Sequence, residues 1–151
     1  MNIGLISDTH GLLRKSAVTA LKKADIIIHA GDIDTPEVLT KLNAIARVYP
    51  VRGNMDRLPE MKHLPGYEIV EADGLFLYVI HDLMAMDLDP AAGMDVVVSG
   101  HSHIPKISYR GRILYINPGS AGPRRFQLPI SVGMIEINNG KMTPKIIELA
   151  E

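Results

Sequence analysis

Cysteine is absent from the chain, which excludes both a disulfide framework and a thiolate metal site. The absence fits a reducing compartment, where disulfides do not persist. Aromatic residues are scarce at 5%, and acidic and basic residues nearly cancel to a formal charge of -1. A nucleic-acid binder needs a basic track or aromatic platforms along a groove, and neither is evident. No stretch approaches the ~20 apolar residues that span a bilayer. The opening Met1-Asn2-Ile3-Gly4-Leu5-Ile6-Ser7-Asp8 has no basic n-region, and its apolar run is too short for a signal peptide. A cytoplasmic protein with neither membrane nor nucleic-acid partners is expected.

What is present is globular in proportion: 46% hydrophobic and 22% charged over 151 residues. That suffices for one domain, residues 1–151, with most of its unfolded surface buried. Ile3 to Ser7 reads as a buried strand ended by the turn Asp8-Thr9-His10-Gly11. Leu13 to Ala24 has the apolar stagger of an amphipathic helix at Ala17, Val18, Leu21 and Ala24. Asp25 to Ala30 is a second buried strand, stopped at Gly31-Asp32. Thr35-Pro36 reads as an N-cap followed by proline at the first helical position, with the helix continuing through Ile45. Arg47 to Val51 is a third strand, broken at Gly53-Asn54.

Hairpins take over beyond that point. Tyr67 to Ala72 and Leu75 to His81 flank Asp73-Gly74, a strong turn signal. Asp95 to Ser99 is another buried strand, and Ile107–Arg110 with Ile113–Ile116 flank Gly111. Val132 to Ile137 and Lys145 to Leu149 straddle Asn138-Asn139-Gly140. Parallel α/β units followed by hairpins predict an α/β fold of two packed mixed β-sheets flanked by helices, an αββα sandwich.

Chemistry-bearing residues gather at strand ends. The first strand delivers Asp8 and His10, the second Asp32, the third Asn54, the first hairpin His81, and the Asp95–Ser99 strand His101 and His103. Ligands in α/β sheets collect outside the carboxyl ends of strands, so these distant segments can meet. Residues two apart in an extended segment point the same way, so Asp8 with His10, and His101 with His103, can aim at one centre. Gly11, Gly31, Gly53 and Gly100 adjoin these candidates and permit close backbone approach. Oxygen and imidazole donors without thiolate suit Mn²⁺, Fe, Zn²⁺ or Ni²⁺. Singly, Asp-Thr-His, Gly-Asp and Gly-Asn are ordinary turns; all five segments in order are hard to obtain by accident.

The series Asp8-Thr9-His10-Gly11, Gly31-Asp32, Gly53-Asn54, His81, Gly100-His101-Ser102-His103 resembles the calcineurin-like metallophosphoesterases. Asn117-Pro118-Gly119-Ser120 extends the likeness to their small bacterial and archaeal phosphodiesterase branch. The resemblance implies two divalent ions, Mn²⁺ first, with Asp8, His10, Asp32 and His103 on one and Asp32, Asn54, His81 and His101 on the other. Asp32 would bridge ions roughly 3.5–4 Å apart, which share a water and present hydroxide in line with the P–O bond. Asp32 and Asn54 would then be catalytic, and Asn54 and Arg124, or Arg125 beside it, would contact a small phosphate-ester substrate. Two dications set against the carboxylates of Asp8 and Asp32 leave about +2, which a hydroxide and a diester monoanion balance. Diesters are therefore expected.

Two positions depart from the family pattern. Many larger relatives carry a proton-donating histidine directly after Gly-Asn, and here that residue is Met55, with Asp56 as a candidate substitute. Asp82 follows His81 where the branch often has His-Gly-His; it either adds negative charge near the second ion or is an outward turn residue, the reading preferred here. His29, inside a buried strand, reads as a core or supporting group. Asn117 and Ser120 are candidates for orienting His101 or His103. The rival reading is a protein-interaction scaffold of the same fold, as in the retromer complex, which goes with weakened ligands; this chain keeps all seven. A homodimer is compatible with the apolar residues left over.

Overall fold

Residues 1–150 are described by a computed structural model. Three parallel strands form first: β1 (Asn2–Ile6), β2 (Ile26–His29) and β3 (Arg47–Pro50). β1 and β2 are almost wholly buried, hence their unbroken apolar runs. The crossovers are α1 (Lys15–Ala20) and α2 (Pro36–Asn43). The first is shorter than the apolar stagger predicts, because residues 21–23 continue as turns. Pro36 does open α2, but Thr35 contributes extended backbone and no side-chain cap. Proline there removes an N–H that would have had no partner.

The chain then crosses to a second sheet through β4 (Tyr67–Ala72), β5 (Leu75–Ile80), β6 (Val96–Val98), β7 (Lys106–Arg110) and β8 (Ile113–Asn117). It returns with β9 (Ser131–Asn138) and β10 (Lys141–Glu148), which pairs with β9 from its first residue rather than from Lys145. The two sheets run β10-β9-β1-β2-β3 and β4-β5-β6-β8-β7. In the first sheet β1, β2 and β3 are parallel and β9 and β10 add an antiparallel side; the second has a parallel centre, β5-β6-β8, and antiparallel edges, so both are mixed, as expected.

Apolar side chains separate into layers. Ile3, Leu5, Ile28, Val51, Leu77, Val79 and Leu114 are among those packed between the sheets. Ala17, Leu21, Val38 and Leu42 bring both helices onto the outer face of the first sheet, against Ile6, Ile27 and Val132. The outer face of the second sheet has no α-helix among the described residues. Tyr78, Ile80, Val97 and Tyr115 are covered there by Leu83, Met86, Leu88 and Met94, on and around short 3₁₀ turns at Leu83–Ala85 and Pro90–Ala92. The α-helical cover is thus one-sided.

The loops after β1, β2, β3, β5 and β6 lie at one rim. Backbone bonds tie them together: Asp8 N–H to Gly31 O, His10 N–H to Asp32 O, and Gly100 N–H to His81 O.

Candidate metal centre

All seven predicted ligand positions come together at that rim. At its centre are two carboxylate oxygens, Asp8 Oδ1 and Asp32 Oδ2. Asp8 Oδ1 lies 3.4 Å from His103 Nε2, 3.9 Å from His81 Nε2 and 4.0 Å from His10 Nε2. Asp32 Oδ2 lies 3.3 Å from His81 Nε2 and 3.7 Å from His10 Nε2, between the two histidines. Asn54 Oδ1 approaches His81 Nε2 to 3.0 Å, and His101 Nδ1 approaches the same nitrogen to 3.3 Å. Asp8 is fully buried, while His101 stands exposed at the mouth.

Asp8, Asp32, His81 and His10 are each aimed by a second contact. Ser7 Oγ–H and the His101 N–H both donate to Asp8 Oδ2, leaving Oδ1 to face the centre. Met55 N–H donates to Asp32 Oδ1, leaving Oδ2. His81 Nδ1–H donates to Ala30 O at 2.7 Å, so its Nε2 lone pair points inward. His10 Nδ1 sits 3.3 Å from Asp34 Oδ2, again turning Nε2 to the centre.

These contacts test the fit to a cation. With Nδ1 committed to Ala30, neutral His81 offers an acceptor to two further acceptors, Asn54 Oδ1 and Asp32 Oδ2. Such a cluster needs a proton or a metal ion at its middle. Asp8 Oδ1 and His10 Nε2 are buried and have no hydrogen-bond partner among the described residues. Ligand atoms of Asp8, His10 and His103, and of Asp8, Asp32 and His81, form two sets within 4.8 Å. The donor set fits hard or borderline divalent ions.

Both central carboxylates are held ionised by their surroundings, and His81 keeps a proton more readily than a free imidazole. Burial acts to raise the Asp8 carboxyl, but His103, Ser7 and the charge at His81 outweigh it and hold it below the usual range. Burial likewise opposes ionisation of Asp32, and the contacts with His81 and the Met55 N–H override it. Burial pushes His81 down, yet Asp32, Asp8 and the Ala30 carbonyl carry it above its ordinary value.

The backbone is unusual here. Asp8, His10, Asp32, Asp34, His101 and His103 all take φ between 47° and 72°. Such left-handed conformations are uncommon outside glycine and cluster at functional sites. Asp8 with His10, and His101 with His103, therefore converge through paired left-handed residues, not through the extended alternation that the spacing suggests.

Three neighbours were hidden in the sequence or read differently. Asp56 is 3% exposed, and its carboxylate accepts four backbone N–H groups, from Asp32, Ile33, Asp34 and Gly53, at 2.8–3.0 Å. Both oxygens are saturated, so Asp56 is a clamp on two ligand loops and not a substitute proton donor. Asp82 is not simply an outward turn residue: Oδ1 accepts from Met84 N–H while Oδ2 lies 3.7 Å from His101 Nε2. Asp34, which holds His10, has no marker apart from lying two residues after Asp32. His29 is buried between Thr9 Oγ1 and the Gly31 N–H, a supporting position. Asn117 Nδ2–H donates to Gly100 O and Ser102 Oγ, bracing the His101–His103 loop through its backbone.

A pocket of about 350 Å³ opens over the cluster, lined by Met55, Arg124 and Arg125 as well as by His10, Asn54 and His101. One Arg124 N–H is spent on Leu128 O. The calcineurin-like phosphoesterase superfamily domain matches residues 1–140.

This chain belongs to that superfamily.

Within the superfamily, a probable metallophosphoesterase of Methanocaldococcus jannaschii is 36% identical, over all of this chain and 83% of its own length. Phosphodiesterase YfcE of Escherichia coli is 30% identical, over 90% of this chain and 88% of its own length. The structure of Vps29 from Chaetomium thermophilum superposes with a TM-score of 0.78 over 99% of this chain and 97% of its own, at 17% identity. That likeness speaks to the fold alone. The phosphoesterase fold in hand carries candidate ligand groups for divalent metal, and no helix among the described residues is long and apolar enough to cross a membrane.

Proposed function

We propose that this protein is a phosphodiesterase that holds two divalent ions at the rim and hydrolyses small phosphodiesters. The observation that carries the reading is a cluster of inward-facing lone pairs, of which Asp8 Oδ1 and His10 Nε2 are buried with no hydrogen-bond partner among the described residues. Asp8, His10, Asp32 and His103 would hold one ion, and Asp32, Asn54, His81 and His101 the other. The position of Asp32 Oδ2 between His10 and His81 supports its sharing. Mn²⁺ is the first choice, ahead of Ni²⁺, Fe and Zn²⁺. When bound, such ions act as Lewis acids and lower the pKa of water to supply the nucleophile.

The chain's own residues do the rest. Asn54 and Arg124, both lining the pocket, would contact the phosphoryl oxygens, Arg124 by its charge and Asn54 by a hydrogen bond, stabilising charge that grows in the transition state. Asp8 and Asp32 would leave the loaded centre at about +2, and with a hydroxide at about +1, which matches a singly charged diester better than a doubly charged monoester. Met55 lines the pocket where a proton donor would assist the leaving group, and Asp56 is turned away from it. Esters with good leaving groups are therefore the better substrates.

Metal analysis of purified protein, with a panel of mono- and diesters under Mn²⁺, Ni²⁺, Zn²⁺ and Mg²⁺, tests this. Diester hydrolysis that Asp32→Asn lowers by at least 10²-fold is expected. Undiminished activity in that variant removes the shared-ligand role. A protein-interaction scaffold of the same fold, without hydrolytic activity, is the second reading. It is the one to adopt if neither bound metal nor Mn²⁺-dependent hydrolysis is found.

A further inference from the structure

Beside the metal centre lies a second cavity of about 490 Å³, walled by Arg52, Tyr67, Tyr78, Asp82 and Asp87. It shares Asn54, His81 and His101 with the centre, so a molecule whose phosphate sits at the ions can reach into it. The size is that of a small-molecule site.

Two features of its wall point to a ligand. The rings of Tyr67 and Tyr78 stand 5.5 Å apart at 51°, and Tyr67 is 52% exposed, offering an aromatic face to the cavity side. Tyr78 is fully buried, yet its hydroxyl has no hydrogen-bond partner among the described residues. Burial, with Asp87 and Tyr67 nearby, keeps that hydroxyl above the usual phenol range and therefore protonated, a donor without an acceptor. Tyr78 lines the cavity together with Asp87 and Tyr67. Buried polar groups ordinarily find partners, and exceptions call for a reason. Arg52 adds a guanidinium, anchored through one N–H to Lys62 O.

From these we infer that the cavity receives one ester substituent of the substrate, a planar ring bearing a hydrogen-bond acceptor, stacked on Tyr67 and held by the Tyr78 hydroxyl. The inference rests on the phosphodiesterase reading above and names its substrate class. A nucleobase and a substituted phenyl group share this chemistry, and the experiment separates them.

Three diesters that all expel 4-nitrophenolate, carrying methyl, 4-methoxyphenyl (the phenyl ester) or thymidine as the other group, are hydrolysed with Mn²⁺ by wild type, Tyr67→Ala and Tyr78→Phe. Tyr67 is half-exposed on the edge strand β4, so its truncation leaves the cores intact. Tyr67→Ala is expected to raise KM about tenfold wherever a ring occupies the cavity. A rise on the phenyl and thymidine esters alone puts the retained group there; a rise on all three puts the leaving ring there. A KM effect of Tyr78→Phe on the thymidine ester but not the phenyl ester identifies a nucleobase, and the larger Tyr67→Ala effect on the phenyl ester identifies an aryl group. KM values unmoved by either substitution on any ester overturn the inference.

Calorimetry supplies a readout apart from turnover. With Mn²⁺ present, thymidine 5′-monophosphate should bind about tenfold tighter than inorganic phosphate, and Tyr67→Ala should abolish the difference. Equal affinity in wild type overturns the ring site. Tighter nucleotide binding by a protein that cleaves none of the esters keeps the ring site and removes the phosphodiesterase reading.

Discussion

Asp56 touches no substrate position, yet the loops carrying Asp32 and Asn54 both hang from its carboxylate through four N–H donors. In Asp56→Asn one acceptor becomes an NH₂ facing those donors. A loss of about 3 kcal/mol is expected, with a fall in melting temperature near 10 °C and weaker metal binding; an unchanged melting curve refutes the clamp. In sequence Asp56 reads only as a candidate substitute for the missing proton donor, because four backbone donors leave no mark on a side-chain pattern. The ligands were legible for the opposite reason: histidine and carboxylate at the end of an apolar strand are costly without a partner. His29 makes a pH prediction. Burial above all lowers its pKa from 6.5 to about 4, and its Nδ1 already accepts the Gly31 N–H. The unfolded chain takes up a proton as pH falls through 6.5 and the folded chain does not, so stability is lost between about 6.5 and 4, by up to ~3 kcal/mol. Urea midpoints in chelator should fall more steeply over that window in wild type than in His29→Gln. The comparison cancels the opposing trend of His81, whose raised pKa stabilises the metal-free fold at lower pH. At Met55, substitution by histidine should raise hydrolysis of alkyl diesters by about 10²-fold relative to aryl ones, read from the dependence of rate on leaving-group pKa.

Strands showed through the sequence because parallel strands buried on both faces need continuous apolar runs, as in Ile26–His29 and Val96–Val98. Helix ends did not. Leu21 still bonds back to Ala17 O, so burial and periodicity outlast the regular α1 helix. β10 was under-read at its start because Pro144 argues against a strand; it lies on an edge strand, where a missing N–H is tolerated. The loops were the least legible elements. Their left-handed residues are aspartates and histidines, types that tolerate that conformation better than most but do not announce it in sequence. A Cβ at Gly100 would run into Ser7 Oγ and Asp8 Oδ2, whereas Gly74, at φ +82°, has open space around it. Gly100→Ala should lower metal affinity at least tenfold. Gly74→Ala should cost about 1 kcal/mol through its backbone and leave metal affinity unchanged. Isothermal titration with Mn²⁺ and thermal melts of both variants separate the two effects; equal affinities would deny that the His101 loop is seated by close approach.

At the scale of the molecule, folded chain and metal are linked. The centre forms only when five segments between residues 8 and 103 are in register, so the unfolded chain offers no comparable site. Mn²⁺ at about 100 times its dissociation constant should stabilise the fold by ~2.7 kcal/mol, raising the melting temperature by roughly 5–10 °C, and chelation should reverse it. A shift independent of Mn²⁺ concentration speaks against a native-state site. The near-zero net charge has a second consequence. A small anionic diester should therefore meet little long-range steering, and raising salt should slow its capture only slightly.

The seven rim side chains belong to neither of the main hydrophobic cores. Chemistry and architecture can therefore be inherited separately. A descendant that shed its histidines one at a time would lose catalysis by degrees while its two sheets stayed clasped, leaving a rigid block available for purely mechanical duty.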